Sequence, residues 1–334
     1  MDQRTLIAPT RGRTTHDVSV VGLGTWQLGA DWGEVSEADA RAVLEASHDA
    51  GVTFFDTADV YGDGRSERVI GAFLREHDDV TVATKMGRRV EQLPEHYTLE
   101  NFRAWTDRSR RNLGVDTLDL VQLHCPPSAT IDEDATYDAL DTLVEEGAIA
   151  AYGVSVETVD QALSAIARPH VASIQIILNA FRLKPLDAVL PAAVAAGVGI
   201  IARVPLASGL LSGRYDERTT FAADDHRTYN RDGSAFDVGE TFSGVDYAAG
   251  VAAAREFSRL AAEHGPSGAT PAQVALAWVV QQPGVTTVIP GARNVDQARA
   301  NAAAGALPAL STELLDGVRD LYDRYFREAI HHRW

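Results

Sequence analysis

Short apolar runs rich in β-branched and aromatic residues recur along this chain, separated by longer segments whose apolar positions repeat at helical spacing. The first kind reads as buried strands and the second as amphipathic helices. Gly51-Val52-Thr53-Phe54-Phe55-Asp56-Thr57-Ala58-Asp59-Val60-Tyr61-Gly62 sets the pattern: a helix-ending glycine, a short apolar strand, then a loop that starts where the polar residues begin. Val80-Thr81-Val82-Ala83-Thr84-Lys85 and Leu118-Asp119-Leu120-Val121-Gln122-Leu123-His124 close the same way, each delivering an ionisable side chain at its carboxyl end. Asp56, Tyr61, Lys85 and His124 are therefore expected on one rim.

Helices are expected near 36–50, 66–77, 98–113, 134–146, 158–168, 186–196, 294–304 and 311–328, the first opened by Ser36 and Asp39 at capping-box spacing. Strands fall near Gly22, before Asp56, before Lys85, and near 118–123, 149–154, 171–176, 198–204 and 285–289. Eight strands alternating with helices, most of them continuous apolar runs, predict an α/β fold in which a parallel sheet closes into a (β/α)8 TIM barrel. Residues 4–22 alternate β-prone and turn residues, which predicts an N-terminal β-hairpin turning at Thr10-Arg11-Gly12-Arg13. From about Arg214 to Tyr247 the rhythm breaks into Asp, Arg, Gly and aromatic residues, the mark of a long functional loop or lid after strand 7, on the same rim. Barrels with such insertions reach 334 residues, so residues 1–334 are read as one domain.

Composition narrows the function. A net charge of −17 without a basic stripe argues against nucleic acid. No apolar run approaches the ~20 residues that span a bilayer, and Met1-Asp2-Gln3-Arg4-Thr5 lacks the apolar core of a signal peptide, so a cytoplasmic enzyme is expected. The single cysteine, Cys125, excludes an internal disulfide and a cysteine-based zinc site, and no metal is expected. Only two lysines occur, Lys85 and Lys184, and one of them ends a strand. The glycines of Val20-Val21-Gly22-Leu23-Gly24-Thr25-Trp26-Gln27 suggest a dinucleotide fingerprint, but Gln27 stands where the third glycine belongs and no helix follows directly, which excludes a Rossmann unit. Oligomeric state has no signature in the sequence.

Phe55-Asp56-Thr57-Ala58 through Tyr61-Gly62, Thr84-Lys85, Leu123-His124, Gly153-Val154-Ser155, Pro205-Leu206-Ala207-Ser208-Gly209-Leu210-Leu211-Ser212-Gly213 and Ile289-Pro290-Gly291-Ala292-Arg293-Asn294 occur in this order. With them the chain resembles the aldo-keto reductase superfamily over roughly residues 16–327. The resemblance implies a catalytic tetrad of Asp56, Tyr61, Lys85 and His124, and a hairpin that plugs the barrel's bottom. Carbonyl reduction needs a hydride for carbon and a proton for oxygen. Tyr61 is then the acid, Lys85 the cation that eases a phenol of pKa ~10 toward phenolate, Asp56 the counter-ion of Lys85, and His124 the donor that orients the substrate oxygen.

The same resemblance implies NADP(H), with NAD(H) as the alternative. Gly24, Thr25, Trp26 and Asp56 would line the nicotinamide end, and Ser155 and Gln175 would bond the carboxamide. Pro205, Leu206, Ser208, Gly209 and Arg214 would cover the pyrophosphate. Beyond Gly291, Arg293 would grip a 2′-phosphate at the helix capped by Asn294, with Gln297 and Asn301 facing the adenosine. Three positions depart from the family pattern: Val156 for an asparagine, Ala300 for a glutamate, and Arg203 for an aromatic residue stacked on nicotinamide. A bare guanidinium would repel the oxidised ring, so Arg203 is expected to pair with a carboxylate or turn away. A small carbonyl or alcohol substrate would meet Trp26, Trp32, Tyr61 and His124, with Tyr229, Phe236 and Phe242 adding an aromatic wall. The expected activity is reduction of aldehydes and ketones, or oxidation of the corresponding alcohols or sugars. A Schiff-base aldolase using Lys85 and a non-catalytic NADPH-sensing subunit are the competing readings.

Overall fold

Period-two alternation along short strands puts two kinds of side chain on two faces, and here it builds a barrel with a dry floor and a polar mouth. The structure is a computed structural model that describes residues 1–7, 16–29, 35–223, 225–231, 233–234 and 239–334. Strands β1 (Gln3–Ile7) and β2 (His16–Ser19) form an antiparallel hairpin. Its expected turn, 10–13, lies outside the described residues. Then follow β3 (Leu23–Gly24), β4 (Phe54–Asp56), β5 (Thr81–Met86), β6 (Leu120–His124), β7 (Tyr152–Ser155), β8 (Val171–Ile177), β9 (Gly199–Arg203) and β10 (Thr287–Val288). These eight pair in chain order, all in parallel. Bridges Val21–Val288 and Gly24–Gly291 bring the two ends together into a (β/α)8 barrel.

Phe54, Ala83, Leu120, Ala151, Ile201 and Ile289 point inward and form an apolar cluster separate from the main core. Phe55, Val82, Val121, Val154, Ile174 and Ile200 alternate with them and join the core shared with the helices. One inward step further along, the strands carry Asp56, Lys85, Gln122 and Arg203, and one step more His124 and Ser155. The polar layer thus lies at the carboxyl ends, above the apolar one. Leu6 and Val18 of the hairpin fill the interior cluster from the opposite end. That approach is tight: a Cβ on Gly199 would lie 2.7 Å from the Leu6 carbonyl oxygen, so only glycine fits.

Helices at Glu37–Asp49, Arg65–Leu74, Leu99–Leu113, Asp134–Glu145, Val159–Ile166, Val189–Ala196, Val295–Ala303 and Thr312–Tyr322 stand where the sequence pattern places them. Ser36, Thr98, Thr158 and Asn294 cap theirs, each side chain accepting the N–H three residues on. Two helices between β9 and β10 had no sequence expectation, Tyr247–His264 and Pro271–Val280. In the second, Val274 to Val280 are all buried, which leaves it no amphipathic period. No described helix is long and apolar enough to cross a membrane.

Candidate active site

Lysine and aspartate side chains this deep in a protein are stable only as partners. Lys85, from β5, and Asp56, from β4, form a salt bridge at the barrel mouth, both almost fully buried. The Lys85 ammonium also donates to the Thr57 carbonyl at 2.9 Å. The other Asp56 oxygen accepts from Gln175 at 2.8 Å and Gln122 at 3.1 Å, so the carboxylate has a donor on each side. Gln122 escaped the sequence reading because it sits inside an apolar run; its inward register beside Lys85 was the available signal.

Tyr61 is carried by the loop after β4. The Lys85 ammonium is 5.2 Å from its ring centroid, Trp26 stacks beside it at 6.0 Å, and the His124 ring stands edge-on at 6.0 Å. Gly62 fixes this loop against the first one: with φ at +56°, a Cβ there would sit 2.0 Å from the Gly29 carbonyl oxygen. Burial pushes the Tyr61 phenol above its ordinary pKa while Lys85 pulls it down, and the net shift is upward. Against the cost of burial, Asp56 and Tyr61 raise the pKa of Lys85. His124 is held well below the usual imidazole range by burial and by the charges of Arg88, Lys85 and Arg203. At neutral pH the site therefore holds a protonated phenol, an ammonium and a neutral imidazole.

The same loop buries Asp59, whose carboxylate takes no side-chain hydrogen bond among the described residues. Burial and the neighbouring Glu67 push its pKa up to about 7, against Arg89, Arg108 and the Val60 N–H. The fold binds this proton more tightly than the unfolded chain does, so stability is lost as pH rises from 3.8 to about 7. Asp59→Asn escapes that loss. Its stability relative to the parent should rise across this window by about 2–4 kcal/mol and stay level above it, as denaturant unfolding at acid and alkaline pH would read. A difference independent of pH would remove the assignment.

A cleft of about 880 Å³ opens above the polar layer, and every residue expected at the cofactor lines it, together with Tyr61 and His124. Lys85 lies beneath its floor. On one side, the stretch 204–212 bends through Val204, Ala207 and Ser208, all with positive φ, a conformation a β-branched valine holds only under strain. On the other, Asn294 accepts the Gln297 N–H at 2.9 Å, leaving earlier N–H groups of that helix open to an anion. Arg293 is exposed there, with no ion-pair partner among the described residues. Gln297 accepts the Arg293 backbone N–H at 2.8 Å, and Asn301 donates to the Gly291 carbonyl at 3.1 Å. Both amides shape the Pro290–Asn294 loop as well as face the cleft.

The segment after the seventh barrel strand does reach over this rim. Glu240 forms an ion pair with Arg203, meeting the expectation of a carboxylate partner, and Ser208 donates to the Glu240 carbonyl at 2.7 Å. His226 packs on Trp26 at 5.3 Å between ring centroids and, with Arg227, lines the cleft. The aromatic wall differs from expectation: Phe242 is buried against Phe221 and Tyr247 inside the segment itself, and Tyr229 is exposed to solvent. Trp32 and Phe236 lie outside the described residues. The carboxyl end secures the segment from behind. Trp334 packs under the Arg182 guanidinium at 3.8 Å, a Cβ on Gly239 would come within 3.3 Å of its ring, and Arg333 donates to the Gly244 carbonyl at 2.9 Å.

The aldo/keto reductase family model matches residues 20–323. The aldo-keto reductase YhdN of Bacillus subtilis is 30% identical over 86% of this chain and 85% of its own length. The glycerol dehydrogenase AKR11B4 from Gluconobacter oxydans superposes with a TM-score of 0.77 at 29% identity, covering 97% of this chain and 96% of that one. An aldo-keto reductase from Klebsiella pneumoniae solved in complex with NADPH gives 0.69 at 27% identity, with 96% of each chain covered.

Proposed function

Because the chain belongs to the aldo/keto reductase family, we propose that it reduces small aldehydes and ketones, or oxidises the corresponding alcohols or sugars, with NADP(H) as cofactor. The reading rests chiefly on the Asp56–Lys85 pair buried beneath Tyr61 and His124, under a cleft lined by all the cofactor-side residues. The donors present fit this cofactor. Neutral Ser155 and Gln175 suit a carboxamide, and Arg293, beside a helix amino end and without an ion-pair partner among the described residues, suits a ribose phosphate.

When bound, the nicotinamide supplies the hydride. Tyr61, protonated because it is buried, gives its proton to the carbonyl oxygen. Lys85, kept positive by Asp56, offsets the phenolate charge this leaves. His124, kept neutral, donates a hydrogen bond to the same oxygen and orients the carbonyl. In the oxidative direction Tyr61 takes the proton back. Lys85 is a poor Schiff-base nucleophile in this setting, since it lies below the cleft floor and is committed to Asp56 and Thr57. The reading includes a single domain and a cytoplasmic location, the latter supported by the lone Cys125.

Loss of NADPH absorbance with a panel of aldehydes tests the proposal. NADPH binding with no turnover would favour a sensing subunit, and borohydride-trapped substrate on Lys85 would favour an aldolase. Arg293→Ala should raise the Kd for NADPH by about 10–100-fold while that for NADH moves less than about threefold. Equal changes for both cofactors would remove Arg293 from the 2′-phosphate.

A further inference from the structure

A pair of histidines stands at the end of the barrel opposite the cleft. The last turn of helix 37–49 carries Glu45 and His48, and the segment between helix 65–74 and β5 carries Glu76, His77 and Asp79. The two imidazole rings are 4.5 Å apart between centroids. His48 Nε2 lies 2.9 Å and 3.1 Å from the Asp79 oxygens, and His77 Nε2 lies 3.2 Å from Glu45. Ligand atoms from His48, His77 and Asp79 all fall within 4.8 Å of one another.

Three features set this cluster apart from an ordinary acidic surface. Buried Phe73 orients both rings, His77 stacked on it at 4.1 Å and His48 edge-on at 5.8 Å, so the imidazoles are aligned before any ligand arrives. Arg41 engages Glu76 at 2.8 Å and Glu45 at 3.4 Å, which leaves Asp79 as the carboxylate of the cluster that no arginine among the described residues holds. Both imidazole side chains remain about one-fifth exposed, at 21% and 22%, and so stay reachable from solvent. Two touching imidazoles repel each other when both are protonated, whereas one divalent ion satisfies both lone pairs and the carboxylate together.

We propose that His48, His77 and Asp79 bind a zinc-class divalent cation that ties the end of helix 37–49 to the segment feeding β5. Two imidazoles and one carboxylate suit zinc, whereas magnesium and calcium select all-oxygen sites. Zinc bonds of roughly 2.0–2.2 Å need the ligand atoms drawn closer together, and side-chain rotation at a partly exposed site allows this. A water would complete the tetrahedron. The site lies at the amino end of β5, away from the chemistry, so the ion serves as a staple.

The test uses the full chain, stripped with a chelator and titrated with zinc chloride by calorimetry and by thermal unfolding. Zinc should bind at one site per chain with micromolar affinity or better and raise Tm by a few degrees. His48→Ala/His77→Ala should abolish both effects, and Asp79→Asn should weaken binding at least about tenfold. These positions are at the surface, and circular dichroism verifies that the variants fold. The proposal is overturned if zinc produces neither heat nor a Tm shift at about a hundredfold excess over a micromolar Kd. Equal affinity in the double-histidine variant, or an equal response to magnesium chloride, also overturns it.

Discussion

Tyr61→Phe should lower kcat for aldehyde reduction by about 10²–10⁴-fold while the Kd for NADPH stays within about twofold. The substitution removes one oxygen and keeps the ring, so the stack with Trp26 and the edge contact with His124 persist. The residues proposed to hold the cofactor do not depend on that hydroxyl. On the proposed mechanism, what disappears is the proton donor and the atom whose developing charge Lys85 would offset, an interaction made in the transition state. Single-turnover rates and cofactor titration separate the two quantities. Activity within about tenfold of the parent would move the acid elsewhere, and His124 would be the next candidate.

Lys85→Met should cost both stability and turnover. Asp56 would be left buried with the amides of Gln122 and Gln175 as its remaining donors. Stranding one member of a buried ion pair costs about 3–5 kcal/mol, which denaturant unfolding would resolve. Lys85→Met/Asp56→Asn should regain most of that stability, because no charge is then stranded, yet stay as inactive as the single variant. The double-mutant cycle thus separates holding the mouth together from chemistry. A single variant that unfolds within about 1 kcal/mol of the parent would contradict the arrangement.

The strand ends were legible because each apolar run stops at one ionisable residue, and the barrel's inward register then dictates that Asp56, Lys85 and His124 face the mouth together. Asn294 was legible as a cap from its place before a helical period. Gln122 was hidden by its apolar neighbours, and its role depends on a pairing register that no single strand reveals. Helices 247–264 and 271–280 carry too many small or uniformly buried residues for a helical face to stand out. The Arg203–Glu240 pair spans an irregular segment. From the sequence Arg203 was expected to pair with a carboxylate or turn away, and only the path of the chain could tell that it pairs, and with Glu240.

Trp334 has a practical bearing on how the protein is handled. Any polypeptide continuing past it would leave from beside residues 239–244, among which Glu240 holds Arg203 at the cleft. An affinity handle or fluorescent fusion attached there would load a contact that helps to seat this segment. Placed ahead of Met1, the same addition would trail from the plugged floor of the barrel, where Met1 abuts Gly51 and Gly305.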